Sequence, residues 1–169
     1  GSGKTMAAML PLLDRCIRQD WKGMSILYIT PLRALNRDVD RRLEEITASV
    51  GLSLGLRHGD TTQSERSRQV RRPPNVMITT PETFQLMFTG KNLRAMLTGV
   101  QAIVIDEIHD LAGGERGWQL SIGISRLEAM IGRKVQKIGL SATVSNPDAV
   151  AAWMSEDAAA IKAVAPRET

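Results

Sequence analysis

Aromatic residues make up only 4% of the 169-residue chain, too few for the stacking platform that grips single-stranded bases. One cysteine, Cys16, excludes an internal disulfide and a cysteine-based zinc site. Two histidines, His58 and His109, exclude a multi-histidine metal cluster. No apolar run approaches the roughly 20 residues of a membrane-spanning helix, and no basic-then-apolar leader opens the sequence. Internal repeats and low-complexity tracts are also missing. The expectation is a protein of a reducing, cytoplasmic compartment with no membrane contact.

What is present is an ordinary globular composition, 43% hydrophobic and 24% charged, with enough chain for one domain and a core that needs no staples. The 22 Lys+Arg against 18 Asp+Glu leave a charge of +4, and sixteen of those cations are arginine, the better partner for phosphate. That balance suits a nucleic-acid partner without requiring one.

The pattern along the chain is alternation. Residues 4–19 predict a helix with Met6, Met9, Leu10, Leu13 and Ile17 on one face, and with Pro11 kinking it or locking its first turns. Short apolar runs at 25–30, 75–80 and 100–107 predict buried strands. Residues 52–59 alternate and predict another strand, and 134–143 a further one. Helices are predicted between them at 32–50, 64–72, 81–88 and 117–132, then at 147–154 with Asn146 as cap. Gly51 stands where a residue just past a helix end belongs. Residues 160–164 predict a last strand. Strands apolar on both faces, alternating with helices, predict an α/β fold: a parallel sheet flanked by helices on both faces.

Such sheets bind ligands beyond the carboxyl ends of their strands. There each strand delivers small or charged residues: Thr30-Pro31-Leu32-Arg33, His58-Gly59-Asp60-Thr61, Thr79-Thr80-Pro81-Glu82, Asp106-Glu107-Ile108-His109 and Ser141-Ala142-Thr143.

Gly1-Ser2-Gly3-Lys4-Thr5 matches the tail of the phosphate-binding loop G-x-x-x-x-G-K-[ST]. Glycines let successive N–H groups turn toward an anion, and the following helix adds its positive end. Lys4 would place a point charge on the β and γ phosphates, and Thr5 would offer a hydroxyl to Mg²⁺. An expression-tag remnant would account for Gly-Ser but not for Lys-Thr opening an amphipathic helix. The first glycine of the loop and the strand feeding it would precede residue 1, so the chain is expected to begin inside its nucleotide site.

Asp106-Glu107, closing the most hydrophobic strand, is the expected second half. Two adjacent carboxylates are expensive to bury unless a cation neutralises them. Asp106 is expected to hold Mg²⁺ and Glu107 to orient or deprotonate the attacking water. His109 lies within reach of the Ser141–Thr143 edge if the two strands are neighbours. Arg66, Arg68, Arg71 and Arg72 form a basic face, for which solvation is the plainer account than a contact with DNA. Pro31, Thr80 and Pro81 also have a structural reading, as strand ends and a helix cap.

GSGKT, TPLRAL, TTPE, DEIH and LSAT, in that order, resemble motifs I, Ia, Ib, II and III of superfamily-two helicases, and DEIH puts the chain on the DExH side. The stretches GLRHGDTTQSER, DEIHDLAGGERGWQL and IGLSATVSNPDAVAAWM look like the large helicase-related (Lhr) proteins, relatives of the Ski2-like helicases.

The resemblance implies a first RecA-like domain over residues 1–158, with 159–169 leading toward a second RecA-like domain of the same polypeptide. That second domain would bring the arginine finger, and this chain alone is expected to hydrolyse ATP poorly. By resemblance, Gly1, Ser2, Gly3, Lys4 and Thr5 bind nucleotide, Thr5 and Asp106 hold Mg²⁺, and Lys4, Asp106 and Glu107 are catalytic. His109, Ser141 and Thr143 couple hydrolysis to domain movement. Pro31, Arg33, Gly59, Asp60, Thr80 and Glu82 line the nucleic-acid track. The implied activity is ATP-driven translocation and unwinding of DNA, 3′-to-5′. RNA as the track, or a nucleic-acid-binding module inactive as an isolated piece, are the alternatives.

Overall fold

The computed structural model describes residues 3–31, 37–142, 145–155 and 158–161. Elements follow in the order α1 (Lys4–Arg18), β1 (Ile26–Ile29), α2 (Arg37–Ser49), β2 (Leu54–Arg57), α3 (Gln63–Arg71), β3 (Val76–Thr79), α4 (Pro81–Leu86), α5 (Lys91–Leu97), β4 (Ala102–Ile105), a 3₁₀ turn (Ile108–Asp110), α6 (Glu115–Ile131), β5 (Gln136–Gly139) and α7 (Pro147–Met154).

All strand pairs are parallel, and the sheet order is β2-β3-β1-β4-β5. The register puts Arg57, Thr79, Ile29, Ile105 and Gly139 level with one another. The five carboxyl ends therefore form one rim. Every residue of β1, β3 and β4 is buried, as expected for strands covered on both faces. The edge strand β2 alternates half-buried and buried residues, and β5, the other edge, is largely half-exposed.

One core layer sets Ile26, Tyr28, Ile78 and Val104 against Met9, Leu12 and Leu13 of α1 and Leu43 of α2. The opposite layer sets Leu27, Ile29, Met77, Ile103 and Ile105 against Phe84, Met96, Leu120, Ile124 and Leu127. Each such apolar side chain removed from water is worth about 1.5–3 kcal/mol before the entropy of ordering it. The expected parallel sheet with helices on both faces is the fold observed.

Local chemistry sets the helix ends. Thr62 Oγ1 accepts from the Glu65 N–H, Thr80 Oγ1 from Thr83 and Asn146 Oδ1 from Ala149, which satisfies donors left over at each N-terminus. Gly51, at φ 74° just past α2, takes the left-handed role predicted for it. Gly117 is needed for space: an added Cβ would overlap the Leu111 carbonyl and meet Trp153 at 3.3 Å.

Some expectations change. Pro11 stands in the third turn of α1, not its first, and the helix runs through it unbroken. The bond it cannot donate would go to Ala7, and both residues are exposed, so water can serve that carbonyl. The helix α5 was not anticipated. Of the strand expected at 160–164, residues 160 and 161 are not extended in a sheet and 162–164 lie outside the described residues. Residues 32–36 at the start of the predicted 32–50 helix are also outside them. No helix among the described residues is long and apolar enough to cross a membrane.

Candidate functional site

Gly3 caps α1 in the left-handed conformation at φ 67°, with open space around it. Glycine is thus required there by backbone geometry, not by crowding. The first turn of α1 carries neither a side-chain cap nor an acidic residue, so its N–H groups and the positive helix end are available to an anion.

Lys4, the first helical residue, donates from Nζ to the Ser141 carbonyl at 2.5 Å. Among the described residues no carboxylate pairs with it. Ser141 lies two residues beyond β5, and its Oγ is 2.7 Å from His109 Nδ1. His109 Nε2 is 3.3 Å from Glu107 Oε2 and 3.8 Å from Asp110 Oδ1. Hence Lys4, Ser141, His109 and Glu107 form one contiguous polar chain. His109 reaches Ser141 because β4 and β5 are neighbours.

A second chain of contacts runs beside it. Tyr28 OH, 3.5 Å from Thr5 Oγ1, donates to Asp106 Oδ2 at 2.6 Å. The other carboxylate oxygen of Asp106 accepts the Glu107 N–H at 2.9 Å. Burial, then the hydrogen bond and charge of Asp106, push the Tyr28 phenol well above its ordinary range. It stays protonated and remains a donor.

Glu107 is left-handed at φ 48°, one of two non-glycine residues with positive φ among those described. Backbone strain of this kind, of order 1–3 kcal/mol, persists where the surroundings enforce it. Here it turns the chain sharply after β4, so that Asp106 and Glu107 both stay at the rim.

The described residues among those predicted for the track follow β1, β2 and β3. Pro31 is buried after β1, and Gly59 and Asp60 are exposed in the loop after β2. Thr80 is buried as the α4 cap, and Glu82 is exposed in its first turn. Gly1, Ser2, Arg33 and Thr143 lie outside the described residues.

Three partners were not foreseen. Tyr28 falls within the apolar run at 25–30, and a lone tyrosine in an apolar strand signals a hydroxyl that needs a partner. Arg116 donates to Glu82 Oε1 at 2.7 Å. Burial alone would raise the Glu82 carboxyl, but the Arg116 bond, a backbone N–H and the Arg116 charge hold it below the usual range.

Arg66 departs from the expected solvated face. Its guanidinium folds onto the loop after β2 and donates to the carbonyls of Thr61, His58 and Gly59 at 2.8, 2.9 and 3.1 Å. Arg68 does lie in solvent, paired with Glu65, and Arg71 and Arg72 are exposed.

The donor set can be tested against a magnesium–nucleotide. No cluster of three or more His, Cys, Asp or Glu side chains suited to a metal is found among the described residues, so a nitrogen- or sulfur-rich site is not available there. Thr5 and Asp106 instead offer hard oxygens that share one phenol, of the type magnesium takes beside phosphate ligands. Lys4, held only by a neutral carbonyl, fits an anion. The residues fit the group.

The profile of the DEAD/DEAH box helicases matches residues 1–150. The Lhr helicase/uracil glycosylase of Escherichia coli (strain K12) is 41% identical over 178 residues, a match covering 93% of this chain and 12% of that protein. The ATP-dependent helicase Lhr-Core of Methanothermobacter thermautotrophicus is 39% identical over 170 residues, covering 91% of this chain and 20% of the relative. The structure of Mycobacterium smegmatis helicase Lhr bound to ssDNA and AMP-PNP superposes with a TM-score of 0.80 at 38% identity, over 94% of this chain and 22% of that one. The chain thus spans a fifth or less of the length of these two curated relatives.

Proposed function

The chain belongs to the DEAD/DEAH box helicase family, and from that premise we propose that it is the nucleotide-binding motor domain of an Lhr-like ATP-dependent DNA helicase. The observation that carries this reading is the convergence of Lys4, Thr5, Asp106 and Glu107 on one rim, linked through Ser141, His109 and Tyr28.

In this reading Mg²⁺–ATP, when bound, supplies the phosphoanhydride to be cleaved and a cation that offsets the phosphate charge. Gly1, Ser2 and Gly3 cradle phosphates with backbone N–H groups, and Lys4 leaves the Ser141 carbonyl for a phosphate oxygen. Thr5 and Asp106 would hold the metal. Glu107 orients the attacking water and accepts its proton. Transfer of Lys4 from the Ser141 carbonyl to a phosphate would pass nucleotide occupancy to Ser141 and its partner His109 at the β5 rim. Thr143 belongs to the same coupling segment.

Pro31, Arg33, Gly59, Asp60, Thr80 and Glu82 line the track of a strand held through its phosphates, which permits stepping along any sequence. The M. smegmatis relative was captured with ssDNA, which supports DNA as the track. A second RecA-like domain of the parent polypeptide closes over the nucleotide. The setting proposed for the parent is the cytoplasm. The test uses the full-length parent: Lys4→Ala should abolish nucleic-acid-stimulated ATP hydrolysis, whereas turnover within a few-fold of wild type would refute the assignment.

A further inference from the structure

The rim also opens, on the side away from Lys4, into a groove that the motor reading leaves unused. It lies between α3 and α5 and has a volume of about 520 Å³. Arg57, Gln63, Arg66, Arg71, Lys91 and Asn92 are among the residues lining it, and none of the lining residues is a carboxylate.

Arg57 is the decisive residue. It ends β2 and is only 5% exposed. Its guanidinium donates to Gln69 Oε1 at 3.1 Å and, at 3.5 Å, to the Arg66 carbonyl. Both partners are neutral, and among the described residues no carboxylate pairs with it. The nearby acid, Glu65, is engaged by Arg68 at 2.7 and 2.8 Å and by Gln69 at 3.0 Å. The bonds Arg66 makes to the loop after β2 all go to neutral carbonyls. Among the described residues, four cations therefore border the groove without a counter-ion.

A buried guanidinium with only neutral partners is costly unless an anion completes it. A solvated basic face does not account for this, because Arg57 is not solvated. Burial, then the Arg66 charge, push its pKa down from the ordinary arginine range.

Location selects the anion. Arg57 stands level with Thr79, and Arg66 ties down the loop carrying Gly59 and Asp60. The groove thus adjoins the loop that carries two of the proposed track residues, and β2 stands three strands away from β4 and Asp106 in the sheet order. We propose that this groove binds the phosphate backbone of the nucleic-acid strand, extending the track past the loop after β2. The proposal rests on the motor reading above.

The test measures binding of oligo(dT) of graded length by the full-length parent across a salt series. The variants are the exposed pair Arg71→Ala/Lys91→Ala and, separately, the volume-conserving Arg57→Met. Each phosphate of a single strand that the protein ceases to neutralise lowers the slope of log affinity against log salt by about 0.7. With long oligonucleotides the double variant should lower that slope by about 1–1.5 and weaken binding at least several-fold at 0.1 M salt. With the shortest oligonucleotides that the wild type still binds, it should do neither. Unchanged slopes at every length would overturn the proposal and leave the groove to an acidic protein segment. Equal losses at every length would overturn it too, since they would report general charge and not a site. If the wild-type parent bound no oligo(dT) at all, the motor reading itself would fail, a result distinct from either.

Discussion

The Tyr28 hydroxyl joins the two oxygen donors proposed for magnesium: it is 2.6 Å from Asp106 Oδ2 and 3.5 Å from Thr5 Oγ1. Parallel pairing of β1 with β4 puts Tyr28 opposite Val104, two residues before the carboxylate it meets. With the Glu107 N–H on the other oxygen, Asp106 is held from both sides. Outer partners of this kind commonly change metal affinity 10–100-fold. In the full-length parent, Tyr28→Phe should raise the Mg²⁺ concentration for half-maximal ATP hydrolysis about 10-fold. Mn²⁺ binding followed by electron paramagnetic resonance in the presence of nucleotide should weaken to match, while metal-free nucleotide binding stays as in wild type. An unaltered metal requirement would show that the phenol merely fills space.

His109 bridges Glu107 and Ser141, so its loss should separate hydrolysis from work. His109→Ala and Ser141→Ala are each expected to increase the ATP consumed per base pair unwound. The double variant should be no worse than the singles, because the two act through one contact. Additive defects in that ratio would place them on separate paths.

Glu128 supplies a pH-dependent prediction. Burial alone would raise its carboxyl. The hydrogen bonds from Lys137 and Lys134, at 2.7 and 2.9 Å, with the Val135 N–H and the Lys137 charge, bring it below the ordinary range instead. A depressed carboxylate adds stability that is full above the unfolded-state value and fades as pH falls through the folded one. Glu128→Gln should therefore cost about 1.5–3 kcal/mol at pH 7 in urea unfolding. The gap from wild type should close as pH drops below about 4. A gap independent of pH would mean packing, not charge, sets the effect.

Gly117→Ala should destabilise the chain by about 1–3 kcal/mol, because the new methyl would overlap the Leu111 backbone carbonyl. Thermal unfolding checks this, and a neutral result would mean that the turn before α6 yields easily.

The fold was legible because buried parallel strands write themselves as apolar runs, and because each run here ends in small or charged residues. That pattern located the rim proposed to take the nucleotide, and the approach of His109 to Ser141 followed from β4 and β5 being neighbours. What escaped detection depends on distance in the fold. Tyr28 meets Asp106 across 78 positions, and Arg116 meets Glu82 across 34. Helical spacing placed Arg66 beside Arg68, Arg71 and Arg72, but which arginine folds back depends on where the 58–61 loop lies in space. The helix α5 is only 7 residues long and its Gly90 cap offers no side chain, so it lacked the usual start signal.

The acid pair at the end of β4 is proposed to work on a nucleotide gripped by Lys4. The most direct test is nucleic-acid-stimulated ATP hydrolysis by the full-length parent carrying Glu107→Gln, with nucleotide binding measured on the same sample. Binding should stay close to wild type and hydrolysis should fall at least about 100-fold, in line with the roughly 10²–10⁴-fold a positioned base contributes. Hydrolysis within a few-fold of wild type would contradict it.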